Sequence, residues 1–281
     1  MMSRFLSGVL GICLALAAGN SWGAIVFTQD FSSSSVIANY VSATPNAGQL
    51  NAIGSSGTGV VPSIVNDDLR FERAGANVGG FTRLSLGVSP LTAALISMRL
   101  SVITATAQTT AAQFQLGDNF TTSNSVASNA DVHSRFGLNF NANGSYSFRD
   151  IGTGTNSMNF TGENLVSWAV NNSGNDIMFL APDSAVTNLA NDTARLYVGT
   201  QLALTINALT PTQSLNDFKF AFPNGTGTVN FDFVQVETLT AVPEPSSLAL
   251  LTVCGVAGVI YRRRRAGSQV ADADDVSPGQ A

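Results

Sequence analysis

The chain has 281 residues and a net charge of −5, and only 11% of its side chains are charged, less than half of the roughly 25% usual in soluble proteins. It has neither the high net charge of a disordered chain nor the basic stripe of a nucleic-acid binder, so no nucleic-acid partner is expected. Both cysteines, Cys13 and Cys254, lie in apolar end segments, which leaves the middle of the chain without a disulfide, a thiolate metal site or a cysteine nucleophile.

At the amino end, Arg4 precedes residues 5–18, which are apolar apart from Ser7, and then come Gly19, Asn20 and Ser21. Charge, apolar core and small residues in that order predict a secretory signal helix over residues 1–23. Cleavage fits between Gly23 and Ala24, with Ser21 at position −3; a cut after Gly19, with Ala17 at −3, is the alternative. The run is too short to span a bilayer. Cys13 lies too early for a lipoprotein, and Ile12 is a poor residue to precede a lipidated cysteine.

Residues 24–240 read as short strands. Residues 96–102, 136–140, 218–222 and 229–233 alternate apolar and polar side chains, the period-two pattern of a strand with one buried face. Further strands are expected over residues 25–31, 68–73, 81–86, 111–116, 145–149, 165–170, 177–180, 195–198 and 202–206. Asn141-Ala142-Asn143-Gly144 is expected to close a hairpin, and Asn224-Gly225-Thr226-Gly227 to link two more strands, because Asn-Gly supplies the positive φ of tight turns. One helical turn is expected within residues 87–95, and a weaker one within residues 32–40. The fold class is therefore all-β: a two-sheet antiparallel β-sandwich of the jelly-roll or concanavalin-like kind. Asp192 to Gly199 resembles a strand and turn of laminin-G and concanavalin-like domains, and Phe231 to Val236 their closing strand.

Near the carboxyl end stand Val242, Pro243, Glu244, Pro245 and Ser246, then an apolar run over residues 248–261, then Arg262, Arg263, Arg264 and Arg265. Fourteen helical residues span about 21 Å against a hydrocarbon core near 30 Å, and snorkelling arginine stems extend the reach. Arginines after the run stay cytoplasmic and leave the Pro-Glu-Pro side outside. These three parts resemble the PEP-CTERM sorting domain. The resemblance implies that an exosortase, a membrane-embedded cysteine transpeptidase, recognises and processes the tail. It also implies a Gram-negative host that makes exopolysaccharide and biofilm. Sorting-signal residues are taken as 241–265, and the acidic residues 266–281, which depart from the family's usual ending, as a disordered tail.

Candidate chemistry in the middle segment is sparse. A Ser-His-Asp site would have to use His133, the one histidine, and no Gly-x-Ser-x-Gly elbow occurs. Glu72, Glu163 and Glu237 are far apart, unlike the paired carboxylates of glycoside hydrolases. No cofactor is expected, calcium being the ion that the loops at Asn66-Asp67-Asp68, Asp118-Asn119, Asn175-Asp176 and Asn191-Asp192 would suit; these residues are equally turn formers. Trp168 and Tyr197 are the candidate carbohydrate contacts, with Tyr40 and Tyr146 also available, each weighed against core packing. The expectation is a non-enzymatic protein that passes through the inner membrane to the cell surface or matrix. There it is structural or adhesive and touches exopolysaccharide. The alternatives are a carbohydrate-binding module or, further off, a surface glycoside hydrolase.

Overall fold

The computed structural model of the chain describes residues 22–87 and 89–242. The expected signal helix, membrane helix and acidic tail lie outside the described residues. In chain order the strands are β1 (Trp22–Gln29), β2 (Ala52–Ser55), β3 (Val60–Val65), β4 (Asp68–Arg73), β5 (Gly79–Arg83), β6 (Ala93–Ala105), β7 (Gln108–Gly117) and β8 (Val132–Phe140). They continue with β9 (Tyr146–Arg149), β10 (Asn164–Asn171), β11 (Ile177–Leu180), β12 (Val186–Leu189), β13 (Thr193–Val198), β14 (Gln201–Asn207), β15 (Asp217–Phe222) and β16 (Gly227–Leu239).

Two antiparallel sheets form the sandwich. The larger runs β14-β13-β10-β6-β16-β4-β3, with β1 also paired to β16; the smaller runs β2-β5-β15-β7-β8-β9. β16 is the last strand among the described residues, yet it sits between β6 on one side and β4 and β1 on the other. The two-sheet sandwich read from the alternation is what the structure shows.

The core follows from register. Phe81, Phe220, Phe114 and Phe136 pair across β5, β15, β7 and β8. Their neighbouring ring centroids are 5.4, 5.0 and 4.7 Å apart. From the larger sheet, Phe231 meets Phe220 at 4.8 Å and Trp168 meets Phe136 at 4.9 Å. All six rings are buried, and each contributes roughly 1.5–3 kcal/mol by burial and up to about 1.5 kcal/mol more through ring pairing.

Both sheets are also covered on their outer faces. The β11–β12 hairpin lays Phe179, Ala181 and Leu189 over Leu95, Ala169 and Tyr197 of the larger sheet. The outer face of the smaller sheet is polar, as the alternation requires, but it is roofed by the segment between β7 and β8. Thr82, Lys219 and Gln115 stand side by side there in register and are at most 2% exposed. Lys219 Nζ donates to the carbonyls of Ser123 (2.9 Å) and Ser125 (3.3 Å). The Ala127 N–H donates to Gln115 Oε1 at 2.9 Å. Asp217 accepts the N–H groups of Ser85 and Phe120, each at 2.9 Å. Burial pushes the Lys219 ammonium below its ordinary pKa, opposed by Asp217.

The structure corrects several sequence expectations. β2, β3 and β12 are not among the expected strands: β2 is Gly- and Ser-containing, β3 carries Pro62 on the edge of its sheet, and β12 is four residues long with Thr187 and Asn188 at its centre. The helical turn expected within residues 87–95 gives way to extended chain, where Leu91 bridges Leu215 and Ala93 opens β6. The weaker one survives as a 3-10 turn over Ile37–Tyr40. The Asn141–Gly144 stretch joins β8 to β9 in one sheet, whereas the Asn224–Gly227 stretch carries the chain from β15 in one sheet to β16 in the other. Asn66 and Asp67 take φ of 55° and 66° between β3 and β4, a two-residue turn suited to strand twist.

Two outcomes are expected from this packing. Phe231→Ala should lower unfolding free energy by about 3–5 kcal/mol in urea titration, since its ring closes the gap between the sheets. Lys219→Met should raise amide exchange over residues 119–127 by about tenfold and leave β7 and β15 protected, because the roof loses two charge-assisted bonds and the core does not.

Candidate functional site

The expected carbohydrate contacts fall in the core. Trp168 is 0% and Tyr197 2% exposed, so neither ring offers a free face to a sugar. Trp168 alternates inward on β10 toward Phe136, and Tyr197 is capped by Phe179 of the β11–β12 hairpin. Tyr40 and Tyr146 are buried too. The Tyr40 hydroxyl donates to the Phe31 carbonyl at 2.6 Å. Tyr146 accepts from Asn164 Nδ2 at 2.8 Å, and burial pushes its phenol up to about 12.

The acidic loops are occupied as turns. Asp118 Oδ1 accepts from the Asn119 N–H and from Asn216. Asp176 accepts the Asn191 N–H at 2.9 Å and Asn188 Nδ2 at 3.1 Å, which together hold its carboxyl below the usual range. Among the described residues no three His, Cys, Asp or Glu side chains come together. Glu163 and Asp232 each lie 3.6 Å from Arg99, with all three side chains largely exposed.

His133 stands at the irregular start of β8 and is 0% exposed. Its Nε2 is 3.8 Å from Asp192 Oδ1, and neither ring nitrogen has a hydrogen-bond partner among the described residues. The hydroxyl of the adjacent Ser134 likewise has no hydrogen-bond partner among the described residues, so the two side chains are not joined in a relay. Burial pushes the imidazole below 6.5, against the pull of Asp192.

A polar cleft of about 450 Å³ opens where β7, β8 and β9 meet. Gln108, Thr109, Asn139, Asn141, Asn156 and Asn159 line it, and no charged side chain does. Local sequence builds it in layers. Asn139 is the outward residue between Leu138 and Phe140 on β8 and is 5% exposed. Its Oδ1 accepts the Thr110 N–H at 2.8 Å, and its Nδ2 donates to Ser147 Oγ (3.2 Å) and Asn156 Oδ1 (3.0 Å). Asn141 Nδ2 donates to Asn159 Oδ1 at 3.0 Å. β7 bulges between Gln108 and Ala112, and Thr110 in the bulge has φ 50°, an unfavourable conformation for a β-branched residue. Bulges and strained residues of this kind gather beside binding sites. These amides come from three separate segments, and the only sequence signal among them was Asn139 at an outward position followed by the Asn141 turn.

Of the sorting signal, Val242 is the last described residue; Pro243, Glu244, Pro245 and the four arginines lie outside. Ala24 donates its N–H to Thr238 Oγ1 at 2.9 Å, and Gly23 lies so close to Thr238 that a Cβ would collide with its carbonyl.

Residues 241–265 match the PEP-CTERM protein-sorting motif. No curated protein sequence matches the chain. Among solved structures the chain is similar to a sialidase at 10% identity and a TM-score of 0.42, covering 69% of this chain and 17% of that one. It is similar to a carbohydrate esterase of the Shiga toxin-encoding bacteriophage phi24B at 11% identity and a TM-score of 0.46, covering 78% and 100%. It is also similar to a protein with a galectin-like fold from Bacillus subtilis at 8% identity and a TM-score of 0.44, covering 78% and 98%. At such values the likeness concerns the path of the strands alone. The chain thus carries a PEP-CTERM sorting motif, which makes it an exported protein routed through the membrane to the cell surface.

The depressed imidazole of His133 has a consequence for stability. The unfolded chain binds this proton first as pH falls, so stability is full above the ordinary pKa of 6.5 and declines as pH drops through it, levelling below the folded value. Relative to wild type, His133→Leu should flatten the fall in urea midpoint between about pH 7 and pH 5; parallel profiles would contradict this account.

Proposed function

We propose that the chain is a non-enzymatic structural or adhesive component of the cell surface or extracellular matrix, delivered there by an exosortase and held against exopolysaccharide of a biofilm. The observation that carries this reading is the sorting motif at residues 241–265, which begins just after β16 ends at Leu239. The ectodomain is therefore complete before the tail starts. In this reading residues 1–23 are a leader, residues 24–240 the sandwich, residues 241–265 the sorting signal and residues 266–281 an acidic extension. Val242, Pro243, Glu244 and Pro245 are what the exosortase recognises. Residues 248–261 hold the intermediate in the inner membrane, and Arg262 to Arg265 keep its end cytoplasmic.

The non-enzymatic reading is supported by His133 making no hydrogen bond to a hydroxyl among the described residues and by the ion pairing of Glu163 and Asp232 with Arg99 on an open face. The reading invokes no cofactor; Asp118 and Asp176 accept the backbone N–H groups of Asn119 and Asn191. Leader cleavage between Gly23 and Ala24 would fall inside β1 and leave the new amino terminus on Thr238. A cut after Gly19 would keep the whole strand.

Mass spectrometry of both ends, in surface and inner-membrane fractions, tests the proposal. The surface form should begin between residues 20 and 24 and lack everything after the Pro-Glu-Pro region, while Glu244→Ala should accumulate in the inner membrane with its tail intact. A wild-type surface form that retains Ala281 would replace sorting with simple anchoring.

A further inference from the structure

We propose that the amide-lined cleft between β7, β8 and β9 binds a neutral glycan. The inference rests on the reading above only for the source of that glycan, the exopolysaccharide of the surface; the chemistry comes from the cleft itself.

The volume, about 450 Å³, lies within the range of small-ligand sites, roughly 300–1,000 Å³. No charged side chain lines the cleft, and the neighbouring Arg149 guanidinium is engaged with Asn156 Oδ1, so phosphate, sulfate or carboxylate groups would find no counter-charge on its wall. The apolar lining is limited to Ala107 and the buried Phe140, too little to anchor a lipid or the side chains of a peptide. What remains is a wall of amides and hydroxyls, the donor and acceptor set that matches sugar hydroxyls, each of which both donates and accepts.

The amides are also fixed in orientation before any ligand arrives. Asn156 spends its Oδ1 on Asn139 and Arg149, and Asn159 spends its Oδ1 on Asn141. Each is thereby left with an Nδ2 that has no bond among the described residues. In the same way Asn141 is left with its Oδ1 and, because its Nε2 is on the Thr109 carbonyl, Gln108 with its Oε1. Two donors and two acceptors thus face one neutral space, and the layer beneath them holds them there. Asn139 is the hub: it orders Asn156 on one side and fixes the strained Thr110 bulge on the other. Preorganised polar groups of this kind reduce the ordering cost of binding.

Affinity electrophoresis of the full-length chain, in a detergent without a sugar headgroup, reads the binding directly. Gels would contain dextran, mannan or galactan as neutral probes, or polygalacturonate as an acidic one. At least one neutral probe should retard the wild-type chain. The exposed pair Asn156→Ala/Asn159→Ala should weaken that retardation about tenfold, the loss of one or two hydrogen bonds. Asn46→Ala, in the loop before β2 and outside the cleft lining, should leave it unchanged. A Gln108→Ala chain, which keeps every bond beneath the cleft, should weaken it too, so that a folding defect in the double variant does not decide the matter. Retardation by polygalacturonate alone, by none of the probes, or equally in all variants would overturn the assignment. Surface delivery of the same variants keeps the two readings apart: correct processing without glycan binding removes the cleft and leaves sorting intact, whereas glycan binding by a chain that is never processed does the reverse.

Discussion

The sandwich depends on one row of rings. Phe81, Phe220, Phe114 and Phe136 stand in register across four strands of the smaller sheet. Phe231 and Trp168 reach down to them from the larger sheet. A one-residue slip of β7 or β15 would turn Gln115 or Lys219 inward and the phenylalanines out, so the rings fix register as well as supplying burial. The spacing between the sheets is set by the same contacts, and Trp168, whose indole N–H has no acceptor among the described residues, is committed to this role at some polar cost.

The register that puts rings inward puts polar groups outward, and the structure handles the two outer faces differently. On the larger sheet an apolar patch of Leu95, Ala169 and Tyr197 is sealed by a hairpin. On the smaller sheet a polar strip is sealed by a loop whose carbonyls meet the chain's single lysine. A lysine is the suitable choice there. Its long stem crosses the thickness of the roof and its ammonium offers three donors, enough to satisfy carbonyls that bend away from any ladder. Elsewhere on the same sheet, the outward Asn139 of β8 lines the amide cleft.

Alternation alone is enough to locate most strands, because the ones it marks are half-buried with one apolar face, as at Phe218 to Phe222. It fails where burial does not alternate. β2 and β3 lie at sheet edges, and β12 packs onto the outside of the larger sheet through Leu189. The inference from aromatic residues to sugar contacts failed for a related reason. Period-two logic places Trp168 inward, but nothing in the sequence announces that the β11–β12 hairpin will fold over Tyr197. The cleft amides are common turn formers individually, and it takes the pairing of β8 with β9 together with the Arg149–Asn156 and Tyr146–Phe160 bridges to bring Asn139, Asn141, Asn156 and Asn159 to one wall. The tail needed no three-dimensional context, since its motif, apolar run and arginines act in linear order.

The place of β16 carries a consequence for the order of events during secretion. The strand that completes the larger sheet is the last to leave the ribosome, and β6, β4 and β1 have no common partner until it arrives. Most of the pairing is between residues distant in sequence, which slows folding. A chain that has not yet reached residue 227 therefore lacks the one strand that β6, β4 and β1 share. Prematurely terminated products that lack residues 227–239 would present open sheet edges and an unfilled phenylalanine row, a state open to proteolysis. Closure of the larger sheet thus waits on residues 227–239, which stand directly before the sorting motif at residues 241–265.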